Sequence, residues 1–377
     1  MLSFWEKQSF VEYDFLIIGG GIVGLSTAIE LRERHPEAQI AVIERGVFPS
    51  GASTKNAGFA CFGSLTEVLA DLEKLSEEQV QELVSRRWAG LQLLRNRLGD
   101  ETIDYRNHGG YELLQTTGQL AALDKLDRVN TLLQPLFKDE VYRSVPEQTS
   151  ALGFNAERVK GLVFNQYEGQ IHTGKMMKAL QRFAMSRGID LLTGTGVSSF
   201  RETATSVDIQ LNNGTILKAK QVGICTNAFT PDLLDQADLK PGRGVVLVTK
   251  PISGLKFKGT FHYDEGYYYF RNYEDRVIFG GGRNLDLAGE ATTEFDVPDK
   301  ILSQLKHDLD QLILPGQSYE IEQVWSGIMA FGATKQPVLK QQSDRVFLGV
   351  RLGGMGVAIG SLLGKELAEL MTESGNN

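Results

Sequence analysis

The chain is poor in several features that mark familiar classes of protein. Its 377 residues include only two cysteines, Cys61 and Cys225, too few for a disulfide framework, which indicates a reducing compartment. No secretory signal is visible and no run of about 18 uncharged apolar residues occurs, so we expect a cytoplasmic protein without an integral membrane segment. The net charge of −8 argues against nucleic acid as a partner. At roughly 150 residues per domain, the length predicts two domains.

A strand, a glycine turn, a helix and a second strand follow one another within residues 15–46, the most informative part of the chain. Residues 15–18 are apolar, as in a buried parallel strand. The glycines with G-x-G-x-x-G spacing are Gly19, Gly21 and Gly24. Helical apolar spacing continues until a proline, and a second apolar strand at 40–43 ends at Glu44. This order of elements predicts a dinucleotide-binding unit.

Each residue of this pattern has a physical task. Gly19 permits a tight turn, Gly21 lets the backbone approach a pyrophosphate, and Gly24 lets the helix pack closely on the strand. The pyrophosphate then faces free N–H groups at the positive end of the helix dipole. Glu44 can accept hydrogen bonds from ribose hydroxyls, and its charge disfavours the 2′-phosphate of NADP. We therefore expect an adenine dinucleotide at this turn.

Periodic patterns predict the other elements. Helices are expected at 76–98 with Ser76 and Gln79 as a capping box, at about 119–136, at 173–187 with Thr173 as N-cap, and from 357 to about 371. A hairpin is expected around the turn at 212–214, with antiparallel strands at 245–249, 267–271 and 277–280. Because α/β stretches at both ends enclose β-rich material, we expect a dinucleotide domain assembled from several segments.

Further motifs occur in the order found in the FAD-dependent D-amino-acid oxidase superfamily. They are GASTKNAG at 51–58, EGQIH at 168–172, CTNA at 225–228, PGRG at 241–244, YYYFR at 267–271, WSGIM at 325–329 and GGMGV at 353–357. Nearly the whole chain thus resembles the glycine oxidase and sarcosine oxidase branch. Its Trp-x-Gly and Gly-Val-Ala features are also similar to the gamma-glutamylputrescine oxidoreductase branch.

The resemblance implies an α/β (α+β two-domain) fold, with a Rossmann-like FAD-binding domain built from discontinuous segments and a substrate domain with a mainly antiparallel sheet. The expected segments are 1–88, 152–236 and 322–377 for the FAD-binding domain, and 89–151 and 237–321 for the substrate-binding domain. The residues expected to bind FAD are Gly19, Gly21, Gly24, Glu44, Arg45, Ser53, Thr54, Asn56, Gly58, Val197, Asn227, Gly353, Gly354, Met355, Gly356 and Val357. The turn at 353–357 would stabilise negative charge that develops on the flavin.

The chain departs from the family at Met329, where amino-acid-oxidising relatives carry an arginine that pairs with the substrate carboxylate. A bidentate arginine–carboxylate pair is strong and oriented, and methionine cannot replace it. Either another arginine takes this role or the substrate has no carboxylate there. The candidates are Arg271, ranked first because it lies beside the tyrosine run, Arg243, Arg283 and Arg351. The alternative for each is surface solvation or an ordinary ion pair.

Two further elements are candidates for the substrate pocket. One tyrosine of the run is expected to face the flavin, Tyr268 first and Tyr267 second, the alternative being core packing. His108 lies in a loop that resembles the family's entry into the substrate domain, so it is a candidate pocket residue. The alternative for His108 is a solvated loop.

No metal and no covalent flavin link are expected. His108, His172 and His262 have no metal-ligand spacing with each other or with cysteine. Cys61 is near the flavin loop, but we interpret it as a small buried residue. FAD is therefore expected to bind without a covalent bond.

These features predict an FAD-dependent oxidoreductase that oxidises the C–N bond of an amine or N-substituted amino acid by hydride transfer to flavin N5, giving an imine that hydrolyses. No catalytic side chain is assigned, because the flavin is the reactive centre. Oxygen or a quinone-type acceptor would reoxidise it. Three alternatives stay open: a flavin-dependent 2-hydroxy-acid dehydrogenase that reduces a quinone, an FAD-binding or tRNA-modification module without amine chemistry, and a nicotinamide dehydrogenase.

Overall fold

Two large sheets and the helices around them form the structure, a computed structural model that describes residues 1–235 and 238–374. The strands are β1 Glu12–Ile18, β2 Ile40–Glu44, β3 Phe59–Ala60, β4 Gly110–Leu114, β5 Tyr142–Ser144, β6 Gly161–Asn165, β7 Gly169–Gln170, β8 Asp190–Thr193, β9 Val197–Glu202, β10 Val207–Leu211, β11 Ile216–Ile224, β12 Lys240–Thr249, β13 Thr260–Tyr263, β14 Tyr268–Tyr273, β15 Arg276–Gly281, β16 Ile321–Phe331, β17 Val338–Gln341 and β18 Val346–Val350. The α-helices are α1 Phe4–Ser9, α2 Ile22–Arg34, α3 Ala52–Lys55, α4 Leu65–Leu72, α5 Glu77–Leu98, α6 Asp100–Ile103, α7 Thr117–Leu120, α8 Leu126–Leu133, α9 Thr149–Leu152, α10 Thr173–Met185, α11 Asp299–Asp308 and α12 Gly356–Ser374.

The first sheet has a parallel centre. Strands β18, β11, β1, β2 and β8 run parallel in that order, with β17 antiparallel at one edge. Alternate residues of β1 enter two different cores: Phe15 and Ile17 pack with α2, α10 and α12, whereas Leu16 and Ile18 pack with β10 and β16. Because both faces are covered, the strand is apolar throughout rather than alternating. The predicted hairpin is present as β10 and β11.

Helix α2 packs unusually closely on the sheet. It ends at Arg34, as predicted from the proline at position 36. A Cβ atom at Gly24 would lie 1.9 Å from the carbonyl oxygen of Gly19, so only glycine allows this approach. The same requirement applies at Gly364 of α12, where a Cβ would lie 2.7 Å from the Val23 carbonyl oxygen. Helices α2 and α12 therefore pack closely against each other.

The second sheet has the order β16-β12-β15-β14-β13-β4-β6-β5. Every neighbouring pair is antiparallel except β13 with β4. The three antiparallel strands predicted in the middle of the chain are β12, β14 and β15. One sheet has a parallel centre and the other is mainly antiparallel. This combination confirms the expected α/β architecture of two parts. Strands β6 and β16 lie in this second sheet, although residues 161–165 and 322–331 fall within the segments expected to bind FAD.

Two local predictions were wrong. The helix expected at about 119–136 is broken into short pieces. Thr116 and Gln119 form a capping box at the start of the short α7, which ends at Leu120, and a 3₁₀ turn at Leu123–Lys125 precedes α8. The helix α10 does begin at Thr173, but its N-cap is His172, whose Nδ1 accepts a hydrogen bond from the Lys175 N–H at 3.2 Å. The predicted capping box of Ser76 and Gln79 at the start of α5 is present.

A short ribbon of β3 and β7 lies where the two sheets meet. Its register pairs Phe59 with Gln170 and Ala60 with Gly169.

Over residues 1–235 and 238–374, none of the helices combines the length and the apolar character needed to span a membrane.

Candidate active site

A cavity of about 850 Å³ extends from the glycine turn to the second sheet. One end is lined by the turn after β1, the end of β2 and residues 195–197, and the other end by β12, β14 and β16. Such a volume is typical of a site for a large organic ligand. The cavity therefore joins the dinucleotide fingerprint to the second sheet.

The glycine turn forms a cradle that side chains would fill. Gly19 has φ +115°, a conformation that favours glycine. A Cβ at Gly21 would lie 2.8 Å from the Ser53 Oγ. That hydroxyl accepts a hydrogen bond from the Ile22 N–H at 3.0 Å, so the loop after β2 is held against the start of α2. The remaining N–H groups of the first turn of α2 have no acceptor within the helix and suit a phosphate.

Glu44 is positioned by the backbone around it. Its carboxylate accepts hydrogen bonds from the Gly20 N–H at 3.1 Å, the Gly46 N–H at 2.9 Å and the Ser50 hydroxyl at 3.0 Å. The Oε2 atom accepts only the Gly20 N–H, so one of its two lone pairs is left for a ribose hydroxyl. Arg45, also on the cavity wall, places its guanidinium 3.7 Å from the centroid of the Phe229 ring.

The expected cofactor residues divide into two groups. Those that line the cavity are Gly19, Gly21, Glu44, Arg45, Ser53, Asn56, Val197, Asn227, Gly353, Gly354, Met355, Gly356 and Val357. The other three, Gly24, Thr54 and Gly58, lie outside its wall and shape the backbone behind it. The Thr54 hydroxyl donates to the Pro49 carbonyl at 2.6 Å, and a Cβ at Gly58 would lie 2.4 Å from the Ile171 carbonyl.

The turn before α12 lies beside Met329. Gly353 and Gly354 have φ values of +55° and +85°, which glycine adopts without strain. An added Cβ at Gly354 would lie 3.6 Å from the Met329 Sδ. The start of α12 and Met329, the residue at which the chain departs from the family, therefore line the same part of the cavity.

The tyrosine run corrects one expectation. Tyr267 and Tyr269 line the cavity, whereas Tyr268 points to the opposite side, where its ring stacks on Tyr263 with centroids 4.7 Å apart in the buried core of the second sheet. Successive strand residues alternate between faces, so an error of one position moves the side chain to the wrong face. The sequence argument missed Tyr269. Burial raises the pKa of Tyr269 to about 12, and its ring contacts the Phe59 ring edge-on.

Arg271, ranked first among the carboxylate partners, is committed elsewhere. Its guanidinium is buried, donates to the carbonyl oxygens of Ala57 and, at 3.1 Å, Ile171, and is absent from the cavity wall. It holds the loop before β3 and the end of β7 against the second sheet.

The expectation that His108 lines the substrate pocket was wrong. The His108 side chain is exposed and does not line the cavity.

Two other candidate arginines are engaged in ion pairs. Arg243 binds Glu290 through two hydrogen bonds of 2.9 and 2.8 Å. Arg351 pairs with Asp238 and donates to the Gln336 carbonyl at 3.0 Å. Neither of these two arginines lines the cavity, so Arg283 remains of the four candidates.

Arg283 does line the cavity and has no acidic partner among the described residues. Its guanidinium carbon lies 4.0 Å from the centroid of the Phe331 ring and 5.3 Å from that of Tyr267. Burial lowers the pKa of Arg283, which still leaves it charged at neutral pH. Met329 lines the same wall.

A cluster that the sequence spacing missed lies at the edge of the cavity. Cys61, Glu168 and His262 are all buried, and one potential ligand atom from each lies within 4.8 Å of the others. Cys61 and His262 line the cavity. Spacing along the chain does not reveal this cluster, because its members come from three distant segments.

Comparison with known proteins agrees with this geometry. The family model described as FAD dependent oxidoreductase, DAO, matches residues 14–370. The chain belongs to the DAO family of FAD-dependent oxidoreductases. The expected family, the FAD cofactor and the class of FAD-dependent oxidoreductase are thereby confirmed, and the nicotinamide alternative is wrong.

Members of the DAO family with several activities are similar to the chain. Glycine oxidase of Geobacillus kaustophilus is 25% identical over 95% of this chain and 93% of its own, and gamma-glutamylputrescine oxidoreductase of Escherichia coli K12 is 24% identical over 95% and 83%. L-2-hydroxyglutarate dehydrogenase of the same strain is 24% identical over 61% of this chain, and the match spans only about half (51%) of that relative. Among solved structures, L-proline dehydrogenase from P. horikoshii has a TM-score of 0.78 at 18% identity, covering 96% of this chain and 94% of its own. That similarity shows a shared fold.

FAD fits the residues that this DAO-family chain presents. The cradle at Gly19 and Gly21 leaves space that any Cβ would fill, and Glu44 has acceptor capacity for a ribose. The cavity continues from there to Met329 and the start of α12, as an elongated dinucleotide requires.

Proposed function

We propose that this enzyme oxidises the C–N bond of an amine that carries a carboxylate, such as an N-substituted amino acid. We also propose that Arg283 binds this carboxylate. The observation that carries the proposal is an arginine on the cavity wall without an acidic partner among the described residues. A partly buried cation without a counterion favours an anionic ligand.

The surroundings of Arg283 favour an oriented contact. The rings of Tyr267 and Phe331 lie within 5.3 and 4.0 Å of its guanidinium carbon and limit its movement. A planar guanidinium held in this way presents its N–H groups to a carboxylate in a fixed plane. Burial raises the pKa of Tyr269 to about 12, so this neighbour is a neutral phenol at neutral pH and adds no negative charge that would compete for Arg283.

The lining of the rest of the cavity supports a proposed position for each part of FAD. The turn at Gly19–Gly24 and Glu44 would hold the adenosine and pyrophosphate, and residues 353–357 would hold the flavin ring. When bound, FAD supplies the hydride acceptor. Arg283 and the second sheet would orient the substrate carbon, and the imine product is then hydrolysed by water.

Similarity to relatives supports an amine rather than a hydroxyl substrate. The relatives matched over most of both chains are named for glycine and gamma-glutamylputrescine, whereas the match to L-2-hydroxyglutarate dehydrogenase covers about half of that protein. A 2-hydroxy acid also carries a carboxylate that Arg283 would bind. The two substrate classes therefore need a direct test.

The decisive experiment is anaerobic reduction of the bound flavin, followed by absorbance, across four matched sets of compounds. They are amino acids, their N-methyl derivatives, the corresponding amines without a carboxylate, and the corresponding 2-hydroxy acids. We expect bleaching by amino or N-substituted amino acids and weak or no bleaching by the decarboxylated amines. Bleaching by the hydroxy acids alone would replace the amine proposal, and bleaching by simple amines as efficiently as by amino acids would remove the role of Arg283.

A further inference from the structure

Three buried side chains of different chemistry meet beside the cavity. Cys61, Glu168 and His262 are 6%, 1% and 5% exposed. They supply a thiol, a carboxylate and an imidazole, the three side-chain types that bind zinc. A buried cluster of this kind carries a large desolvation penalty unless its charges and polar atoms are matched.

The fold brings the cluster together from three segments. Antiparallel pairing of Ala60 with Gly169 places the next residue of one strand, Cys61, across from the preceding residue of the other, Glu168. His262 comes from β13 in the second sheet. Gly110 leaves the space for the carboxylate, because a Cβ there would lie 2.0 Å from the Glu168 Oε2.

The distance between His262 and Glu168 fits a shared ion better than a hydrogen bond. His262 Nε2 lies 3.4 Å from the Glu168 Oε2, and neither Nε2 nor the Glu168 Oε1 has a hydrogen-bond partner. Buried polar atoms without partners are rare in folded proteins, because such atoms lose their hydrogen bonds to water without gaining others. With zinc–nitrogen and zinc–oxygen bonds of about 2.0–2.2 Å, neighbouring ligand atoms of a tetrahedron lie about 3.4 Å apart.

We propose that Cys61, Glu168 and His262 form a binding site for a divalent zinc ion at the edge of the cavity. Binding replaces two protons with the metal. The Cys61 S–H bond and the His262 Nε2–H bond break, both protons go to solvent, and bonds from zinc to the Cys61 sulfur, the His262 Nε2 and a Glu168 oxygen form. The thiolate and the carboxylate then balance the two positive charges, and the imidazole binds in its neutral form. No change of oxidation state is involved.

The fourth coordination position would open towards the cavity. Cys61 and His262 line the cavity, whereas Glu168 lies behind them. Three protein ligands with one open position are typical of zinc sites that contact a water molecule or a substrate. The site goes beyond the proposed oxidation reaction, because zinc binding needs neither the amine substrate nor turnover.

The competing state of the cluster is an ion pair without metal. Burial by itself lowers the pKa of His262, but the nearby thiol of Cys61 and carboxylate of Glu168 outweigh this and raise the pKa well above its ordinary value. Burial and the Glu168 charge raise the pKa of the Cys61 thiol. An imidazolium–carboxylate pair beside a neutral thiol is therefore what the cluster would be if it bound no zinc.

Metal content distinguishes the two states. The purified FAD-loaded enzyme is stripped with a chelator, incubated with zinc sulfate and desalted, and zinc and flavin are measured per chain. We expect about one zinc per chain in the wild type and in Cys225→Ser. Cys225 is the other buried cysteine, and within the described part of the chain it belongs to no cluster with histidine or carboxylate side chains. Cys61→Ser, Glu168→Gln and His262→Gln should each lower zinc retention about tenfold or more while the flavin content is retained.

A measurement on the wild type alone guards against variants that fail to fold. X-ray absorption at the zinc edge should show one sulfur at about 2.3 Å together with nitrogen and oxygen ligands at about 2.0–2.2 Å. Zinc uptake below about a tenth of an ion per chain, a zinc spectrum without sulfur, or equal retention by Cys61→Ser and the wild type would each overturn the proposal. None of these readouts depends on whether the substrate has been identified.

Discussion

The guanidinium carbon of Arg283 lies 4.0 Å from the centroid of the Phe331 ring. Phe331 stands two residues beyond Met329 on β16, so both side chains lie on the same face of that strand. Arg283 therefore lies on the same cavity wall as Met329, and we propose that it takes the role of the arginine that amino-acid-oxidising relatives carry at that position. Arg283 comes from the segment after β15 rather than from β16.

Arg283→Met should weaken binding of carboxylate substrates by about 30-fold or more, because losing the partner of a desolvated charge costs about 2 kcal/mol or more. Arg283→Lys should recover part of the affinity, since lysine keeps the charge without the planar fork. Anaerobic titration of the flavin measures both. The same variants tested with a decarboxylated amine are the control, and an equal loss on both ligands would contradict a carboxylate contact.

Moving the guanidinium to the family position should rescue the loss in part. In the double variant Arg283→Met with Met329→Arg, we expect carboxylate-substrate affinity to rise about tenfold over Arg283→Met alone, because the two positions serve the same wall. The comparison uses protein with equal flavin content. Affinity no better than that of the single variant would show that position 329 does not reach the substrate carboxylate.

Arg271→Met should affect stability rather than substrate binding. The change leaves the buried carbonyl oxygens of Ala57 and Ile171 without a donor, which we expect to lower the free energy of unfolding by about 2–4 kcal/mol. Denaturant unfolding checks this, with Arg283→Met as the matched control expected to change stability by less than about 1 kcal/mol. Unchanged stability in Arg271→Met would mean that the two carbonyls find other donors.

Gly21→Ala should reduce FAD retention. The added Cβ would lie 2.8 Å from the Ser53 Oγ and would fill the turn that the pyrophosphate approaches. Flavin per chain after gel filtration should fall about tenfold or more. Gly118→Ala is the control, because it is an exposed glycine whose nearest neighbour to an added Cβ is 3.8 Å away. Full flavin retention in Gly21→Ala would place the pyrophosphate elsewhere.

Glu112 should make stability fall as pH rises through the weakly acid range. Burial raises its pKa to about 7 from an ordinary value of 4.5, although the Ser64 hydroxyl donates to it at 3.0 Å. The folded state thus holds the proton more tightly than the unfolded state, and the stabilisation present below pH 4.5 is lost by about pH 7. The loss is about 3 kcal/mol. Unfolding measured from pH 4.5 to 8 should be less pH-dependent in Glu112→Gln, and an identical slope would assign the dependence to another group.

The glycine fingerprint was predictable because its signals are local. Gly19, Gly21 and Gly24 occupy positions that only glycine permits, and Glu44 follows at a spacing set by one helix and one strand. The error at Tyr268 has a different origin. Three consecutive tyrosines contain no alternation, so the sequence does not reveal which of them faces the cavity, and the pairing of β14 with its neighbours decides it.

The amino-acid sequence by itself determined the family, the cofactor and the position of the βαβ unit, since these depend on short-range patterns of glycine, apolar residues and charge. Only the tertiary structure decided which arginine is unpaired and which polar side chains meet. Arg271 and Arg283 are chemically identical, and their roles differ because buried carbonyls surround one and the cavity surrounds the other. The meeting of Cys61 with His262, some 200 residues apart, likewise depends on strand register and on how the two sheets are brought together.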